Sequence, residues 1–280
     1  MSKKVAVLFS GGLESVTMLY NLIETYGKEN VTAITIDFGQ KEVIDDEQGN
    51  SFANNLIEKK ITRYNAELLG VDYEIIDLSY FSNVLDFMKK RIEDTKKDDY
   101  LQISNLSLFP ARNHLMIYSA IIVSEMRGIT ELYLGSALTD YVDGVGNIES
   151  TQEYLDKFNE LNAISNEHSV ILKTGLINDL GETFKLSKAK EIEYLHKRKV
   201  DFPKQVWTCL HPKLNKDNEY IQCGTCKSCV RNRASFISAG IKDPYEYHSD
   251  DWVLDPRMLF QMQLAGDDIS MFTIKVKDDN

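Results

Sequence analysis

Uninterrupted apolar runs alternating with amphipathic stretches dominate the first two thirds of the chain. Val5 to Phe9 carries no polar residue, which suits a parallel strand covered on both faces. After a Ser-Gly-Gly turn, Leu13, Val16, Leu19, Tyr20, Leu22 and Ile23 recur at helical spacing, and Gly27 ends that helix. Val31 to Phe38 reads as a second strand with Asp37 at its carboxyl end. Asn50 or Ser51 caps a helix through Leu56, Ile57, Ile61, Tyr64 and Leu68 to Gly70, and Tyr73 to Leu78 is a third strand. Phe81 to Leu101, with KKRIEDTKKDD in its middle, is a charged, partly helical excursion facing solvent. Asn113 stands as N-cap before an apolar helix from His114 to about Met126, Leu132 to Leu134 and Val170 to Leu176 add two strands, and Ser187 caps a helix from Lys188 to Lys197. Strand and helix in alternation imply right-handed crossovers. The expected fold is α/β, a parallel five-stranded sheet sandwiched by helices.

Residues 1–200 form this α/β unit, 201–247 a cysteine-bearing segment, and 248–280 an extension. In the second segment Arg231, Arg233 and Phe236 begin a helix that Gly240 ends. The extension has Trp252, then Met258, Leu259, Met262 and Leu264 at helical spacing, and strand-like alternation from Ile269 to Val276. It reads as added packing surface or as a contact for a homodimer or a partner.

Composition narrows the function. With 43 acidic and 32 basic residues the formal charge is −11, which repels a phosphate backbone and argues against nucleic acid. No apolar run approaches the ~20 residues of a membrane span and no signal-peptide core precedes Val5, so a cytoplasmic protein is expected, with no membrane partner.

The turn after the first strand carries the clearest chemistry. Gly11 and Gly12 let the backbone approach an anion, the free N–H groups of the following helix point at it, and Ser10 and Ser15 can add hydroxyl donors. No Lys-Ser/Thr follows the glycines as in a Walker A loop, and the third glycine of G-x-G-x-x-G is missing. Because ligands of open α/β sheets bind at the carboxyl ends of strands, Asp37 to Gln40 belongs beside this loop. Arg112, at a helix start, is a cation poorly matched to the helix dipole and calls for an anion.

SGGLES, Ser10 to Ser15, resembles the SGGxDS loop of the PP-loop ATP pyrophosphatases, with Glu14 in place of Asp. Asp37-Phe-Gly-Gln40 is similar to the TFDYGQ block of the 7-cyano-7-deazaguanine synthases, the QueC family, and Phe109-Pro-Ala-Arg112-Asn113 to their (V/F)PGRN motif, with Ala111 for glycine. Gly135 and Asp140 agree with the family's GxxxxDxSGYPDCRxEF loop, but the YPDCR part is replaced by Asp143 to Gln152. The resemblance covers roughly Lys4 to Tyr247. It implies an adenine nucleotide α-hydrolase-like fold that binds ATP through Phe9, Ser10, Gly11, Gly12, Leu13, Glu14, Ser15, Asp37, Phe38, Gln40, Arg112, Asn113 and Gly135. Ser10, Glu14, Ser15, Arg112 and Lys188 would be catalytic, Lys173 and Lys185 further cations for pyrophosphate, and Asp140, Tyr141 and Asp143 substrate contacts.

The implied reaction adenylates the carboxylate of 7-carboxy-7-deazaguanine with Mg²⁺ and ATP. Ammonia then gives the amide and, after a second activation, the nitrile preQ0 of queuosine biosynthesis. Two alternatives stand beside it: a protein amine as acceptor, as in QueC-like proteins of antiphage defence, and a non-catalytic nucleotide sensor. The sensor follows from Glu14, whose extra methylene displaces its carboxylate from the family's Mg²⁺ position by about 1.5 Å.

The four cysteines follow C-x13-C-x2-C-x2-C: Cys209, Cys223, Cys226 and Cys229. Such spacing in a reducing compartment suits four thiolates closing on one structural Zn²⁺, with an iron–sulfur cluster as the other metal reading. The family carries the same arrangement. His211 stands two residues from a ligand and is expected to be exposed.

Overall fold

The computed structural model describes residues 3–39, 54–81, 112–135, 141–142, 145–146, 151–165, 170–174 and 187–272. Five strands, β1 (Val5–Leu8), β2 (Val31–Asp37), β3 (Asp72–Asp77), β4 (Glu131–Leu134) and β7 (Ile171–Lys173), form one parallel sheet in the order β3-β2-β1-β4-β7. The expected parallel sheet of five strands is therefore present. The central strand is the most apolar, because both its faces are covered: Val5, Ala6 and Val7 are fully buried.

Alternate residues of β1 point into two separate cores. Val5, Val7 and Phe9 pack with Leu13, Val16 and Leu19 of α1 (Leu13–Tyr26) and with Ile192 and Leu195 of the helix Lys188–Lys197. Ala6 packs on the opposite face with Ile117 and Ile121 of α3 (Arg112–Met126) and Leu155 and Phe158 of α4 (Gln152–Ser165). α2 (Asn54–Leu69) links β2 to β3. β1 lies between β2 and β4, so the chain crosses both ways from it, and the crevice at the carboxyl ends of these strands is the natural ligand position.

The helix Lys188–Lys197, α5, is followed by the short α6 (Phe202–Gln205), then by α7 (Lys227–Ser238) and α8 (Pro256–Leu264). Ser187 caps α5 as expected, its hydroxyl accepting the Lys190 N–H. α7 begins four residues before the expected Arg231, because the Cys226 sulfur serves as its N-cap acceptor for the Cys229 N–H. α3 begins at Arg112, which places Asn113 inside its first turn rather than at the cap. In the extension, Ile269 to Phe272 forms a turn closed by the Phe272 N–H on the Ile269 carbonyl, so the expected strand does not begin at Ile269; its remainder, 273–276, lies outside the described residues. The excursion Phe81 to Leu101 also lies outside them beyond Phe81.

Two hairpins had no clear sequence signal. β5 (Tyr141–Val142) pairs antiparallel with β6 (Val145–Gly146) where a loop was expected, and β8 (Lys213–Leu214) with β9 (Tyr220–Ile221) between the first two cysteines.

α8 packs the extension onto the rest of the chain. Asp255 caps it through the Arg257 N–H at 2.7 Å, and Met258, Leu259 and Met262 are buried, each contributing about 1.5–3 kcal/mol. Met262→Ala should lower unfolding free energy by about 2–5 kcal/mol, read as a shift of the urea midpoint at unchanged slope. A shift within ~0.5 kcal/mol would mean that the extension does not belong to the cooperative unit.

Candidate active site

Ser10 to Ser15 forms a tight turn into α1. Gly11 has a φ of +77°, and a Cβ there would lie 2.9 Å from Ile61 Cγ2, so both conformation and space demand glycine. Gly12 is extended and is the N-cap of α1, with no side-chain hydrogen bond at the cap. The first-turn N–H groups are thus left for an anion. Ser15 Oγ donates to the Gly12 carbonyl at 3.0 Å and lies 3.3 Å from Ser10 Oγ, so the two hydroxyls flank the turn. Phe9 and Leu13 are core side chains and offer the loop only backbone. The Phe9 N–H donates to Ile34 at 2.7 Å and its carbonyl accepts from Thr35 at 2.8 Å, which anchors the loop's base.

Glu14 reaches across to Lys188 at the start of α5, and the two form an ion pair with both side chains mostly buried. Burial pulls the Lys188 ammonium below its ordinary pKa and Arg231 adds to the effect, while Glu191 and Asp267 oppose it. Gly135 follows β4 and lies against this same turn: a Cβ there would fall 2.7 Å from Ser15 N and Cα. Its lack of a side chain lets β4 approach α1.

Asp37 ends β2 beside the loop, but its carboxylate is engaged. It accepts the Gly39 N–H at 2.8 Å and pairs with Lys59 at 2.6 Å. Lys59, on the polar side of a helix, had no distinguishing signal. Phe38 is half-buried next to it. Arg112 and Asn113 open α3, whose N-terminus faces the carboxyl ends of the strands as parallel crossovers require. Gln40, Asp140, Asp143 and Lys185 lie outside the described residues, as does the side chain of Tyr141. Lys173 is a correction. Its ammonium pairs at 2.7 Å with Glu131, which opens β4 at the opposite end of the sheet, so it does not face the phosphate turn.

The four cysteines converge. Their sulfurs all lie within 4.8 Å of one another, with Cys223 and Cys229 3.8 Å apart. Thiolates ~2.3 Å from one shared ion form a tetrahedron with edges of about 3.8 Å, so the donor set fits a single tetrahedral metal. In a cubane each thiolate would bind a different iron and the sulfurs would stand farther apart. Backbone N–H groups aim at the sulfurs: His211 and Cys223 at Cys209 (3.3 and 3.2 Å), Cys226 at Cys223 (3.3 Å) and Cys229 at Cys226 (3.4 Å). Contact among the four buried sulfurs couples their ionisation, so their protons belong to the cluster rather than to any one thiol.

This cluster is joined to the phosphate turn. The Trp207 N–H donates to the Gly11 carbonyl at 2.8 Å, and the Trp207 indole N–H donates to the Cys209 carbonyl at 3.0 Å. Ile57 and Ile61 of α2 pack with Trp207 and all four cysteines. Gln205 reinforces the junction, donating to Tyr20 at 2.9 Å and Asn65 at 3.1 Å.

The profile of the family described as Queuosine biosynthesis protein QueC matches residues 4–240. The 7-cyano-7-deazaguanine synthase of Psychrobacter cryohalolentis is 30% identical over 266 residues, 89% of this chain and 91% of that protein. That of Methanococcus aeolicus is 26% identical over 260 residues, 87% of this chain and 99% of that protein. Among solved structures, the U34-tRNA thiolase NcsA from Methanococcus maripaludis with its 4Fe–4S cluster superposes with a TM-score of 0.40 at 21% identity, covering 69% of this chain and 58% of that one.

The Glu14–Lys188 pair yields a stability prediction. Lys188→Met leaves a mostly buried carboxylate without its partner and should cost about 2–4 kcal/mol in urea unfolding, while adding Glu14→Gln should restore most of it. Equal losses in the single and double variants would show that the pair is not coupled.

Proposed function

The chain belongs to the QueC family, and on that premise we propose that it is an ATP-dependent C–N ligase that converts 7-carboxy-7-deazaguanine through the amide to 7-cyano-7-deazaguanine. The observation that carries this reading is the Gly11–Gly12 turn, which opens α1 without a side-chain cap and has Ser10, Ser15 and the Glu14–Lys188 pair around it.

ATP would lie with its phosphates on Ser10 to Ser15 and its adenine near Ile36 to Phe38. The first-turn N–H groups and the two serine hydroxyls would stabilise charge on the departing pyrophosphate, with Lys188 as the adjacent cation. Arg112 and Asn113 would face the nucleotide from the start of α3. The substrate carboxylate attacks the α-phosphorus, pyrophosphate leaves, and the amine nitrogen displaces AMP to give the amide; a second ATP then adenylates the amide oxygen, which leaves as AMP with loss of the two N–H protons to give the nitrile. Mg²⁺, when bound with ATP, would supply charge screening of the phosphates; Glu14 is engaged by Lys188. Zn²⁺ would be held by Cys209, Cys223, Cys226 and Cys229, with no open ligand position, and would be structural. Ammonia is the acceptor in this reading. Loss of the family's YPDCR segment, with the β5–β6 hairpin in its place, supports a protein amine as a second acceptor.

Incubation with Mg²⁺, ATP, 7-carboxy-7-deazaguanine and ammonia should release AMP and pyrophosphate, and mass spectrometry should find the amide and then the nitrile. Ser10→Ala and Ser15→Ala should each lower kcat about a hundredfold. ADP as the main product contradicts the ligase, and ATP binding without turnover leaves the sensor. Conjugation of the deazaguanine mass to a protein in place of nitrile formation selects the protein acceptor.

Elemental analysis should find about one zinc per chain without acid-labile sulfide, and Cys223→Ser should abolish soluble folding, because metal and fold are linked. Iron with sulfide overturns the zinc assignment.

A further inference from the structure

Lys188 can meet Glu14 only if the first turn of α5 is held in place, and a carboxylate from the C-terminal extension holds it. Asp267, three residues past α8 and almost wholly buried, accepts a hydrogen bond from the Ser187 hydroxyl, and the nearby Ala189 N–H favours its charged form. Ser187 is at the same time the cap of α5, accepting the Lys190 N–H at 3.3 Å. Arg231 of α7 adds a cation near both Asp267 and Lys188, and its Nη1 donates to Gln261 of α8 at 3.3 Å. Four elements thus bring alternating charges together: Glu14 from α1, Lys188 and Glu191 from α5, Arg231 from α7 and Asp267 from the extension. An anion at the amino end of α5 is also favoured by the helix dipole.

We propose that Asp267 is a positioning residue for the phosphate half of the site: through Ser187 and the first turn of α5 it fixes Lys188 on Glu14. The C-terminal extension, beyond the residues 4–240 that match the family, thereby completes the pyrophosphate-binding part of the site. The inference rests on the reading that ATP binds at Ser10 to Ser15.

Product inhibition of the full-length, zinc-loaded protein separates the two. The wild type should be inhibited by both pyrophosphate and AMP. Asp267→Ala should weaken inhibition by pyrophosphate about tenfold and leave AMP inhibition unchanged, as expected when one charge-assisted contact to the phosphates is lost. Lys188→Met should show the same selectivity, and the double variant should be no weaker than Lys188→Met alone. Asp267→Asn keeps an acceptor for Ser187 but loses the charge, so it should fall between wild type and Asp267→Ala; it carries the test if Asp267→Ala does not fold. Asp268→Asn, an exposed change next door, should alter neither constant. Pyrophosphate and AMP inhibition weakened equally, or neither weakened, in both Asp267 variants would reduce Asp267 to a packing role and overturn the proposal. A wild type inhibited by neither product removes the ATP reading itself, and this inference with it.

Discussion

One backbone hydrogen bond, from the Trp207 N–H to the Gly11 carbonyl at 2.8 Å, ties the phosphate turn to the cysteine segment. Gly11 sits in the left-handed region with Ile61 beneath it, and its carbonyl must point away from any anion that its neighbours bind. A buried carbonyl without a partner is costly, so a donor has to be delivered from outside the turn. Trp207 delivers it, and Trp207 is itself held by the carbonyl of Cys209 and by contact with the other cysteines. The shape of the Gly11–Gly12 turn is thereby made to depend on a four-cysteine segment some two hundred residues away in sequence.

The far side of that segment is strapped by the chain that follows it. Ser249 and His248 donate to the carbonyls of Cys223 and Gln222, and the Arg233 guanidinium stacks over Tyr247 and pairs with Asp250. From there the chain runs into α8 and reaches Asp267 beside Lys188. Loop, knuckle and extension close a circuit around one end of α1. A chain with a net charge of −11 can offer a polyanion a favourable site only where cations are held locally, and Lys188 and Arg231 are held there by acids from three different elements.

What could be read from sequence divides along physical lines. β1, α1 and the alternation of strands and helices were legible because continuous apolar runs and 3.6-residue spacing reflect burial, which is a property of neighbouring residues. The cysteines were legible because a closed metal site needs four donors, all gathered in one short stretch. Lys173 was misassigned because pairing with Glu131 is a long-range fact, and charge alone does not say which end of a sheet a lysine faces. Asn113 lies two residues inside the cap position because a good cap residue is also tolerated in a first turn. The start of α7 was missed because sulfur is not an ordinary cap acceptor, though Cys226 serves as one. Lys59 and Asp267 carried no local mark at all: their roles come from partners 22 and 80 residues distant.

The cysteine segment holds the Gly11–Gly12 turn through Trp207. Hydrogen exchange of the amides of residues 11–16, followed in the zinc-loaded protein and again after chelation under conditions where the sheet remains folded, addresses it directly. Protection of these amides should be lost together with that of 207–209 and 222–229, while β1 and β4 stay protected. Loss confined to the cysteine segment, with the turn as protected as before, would contradict it.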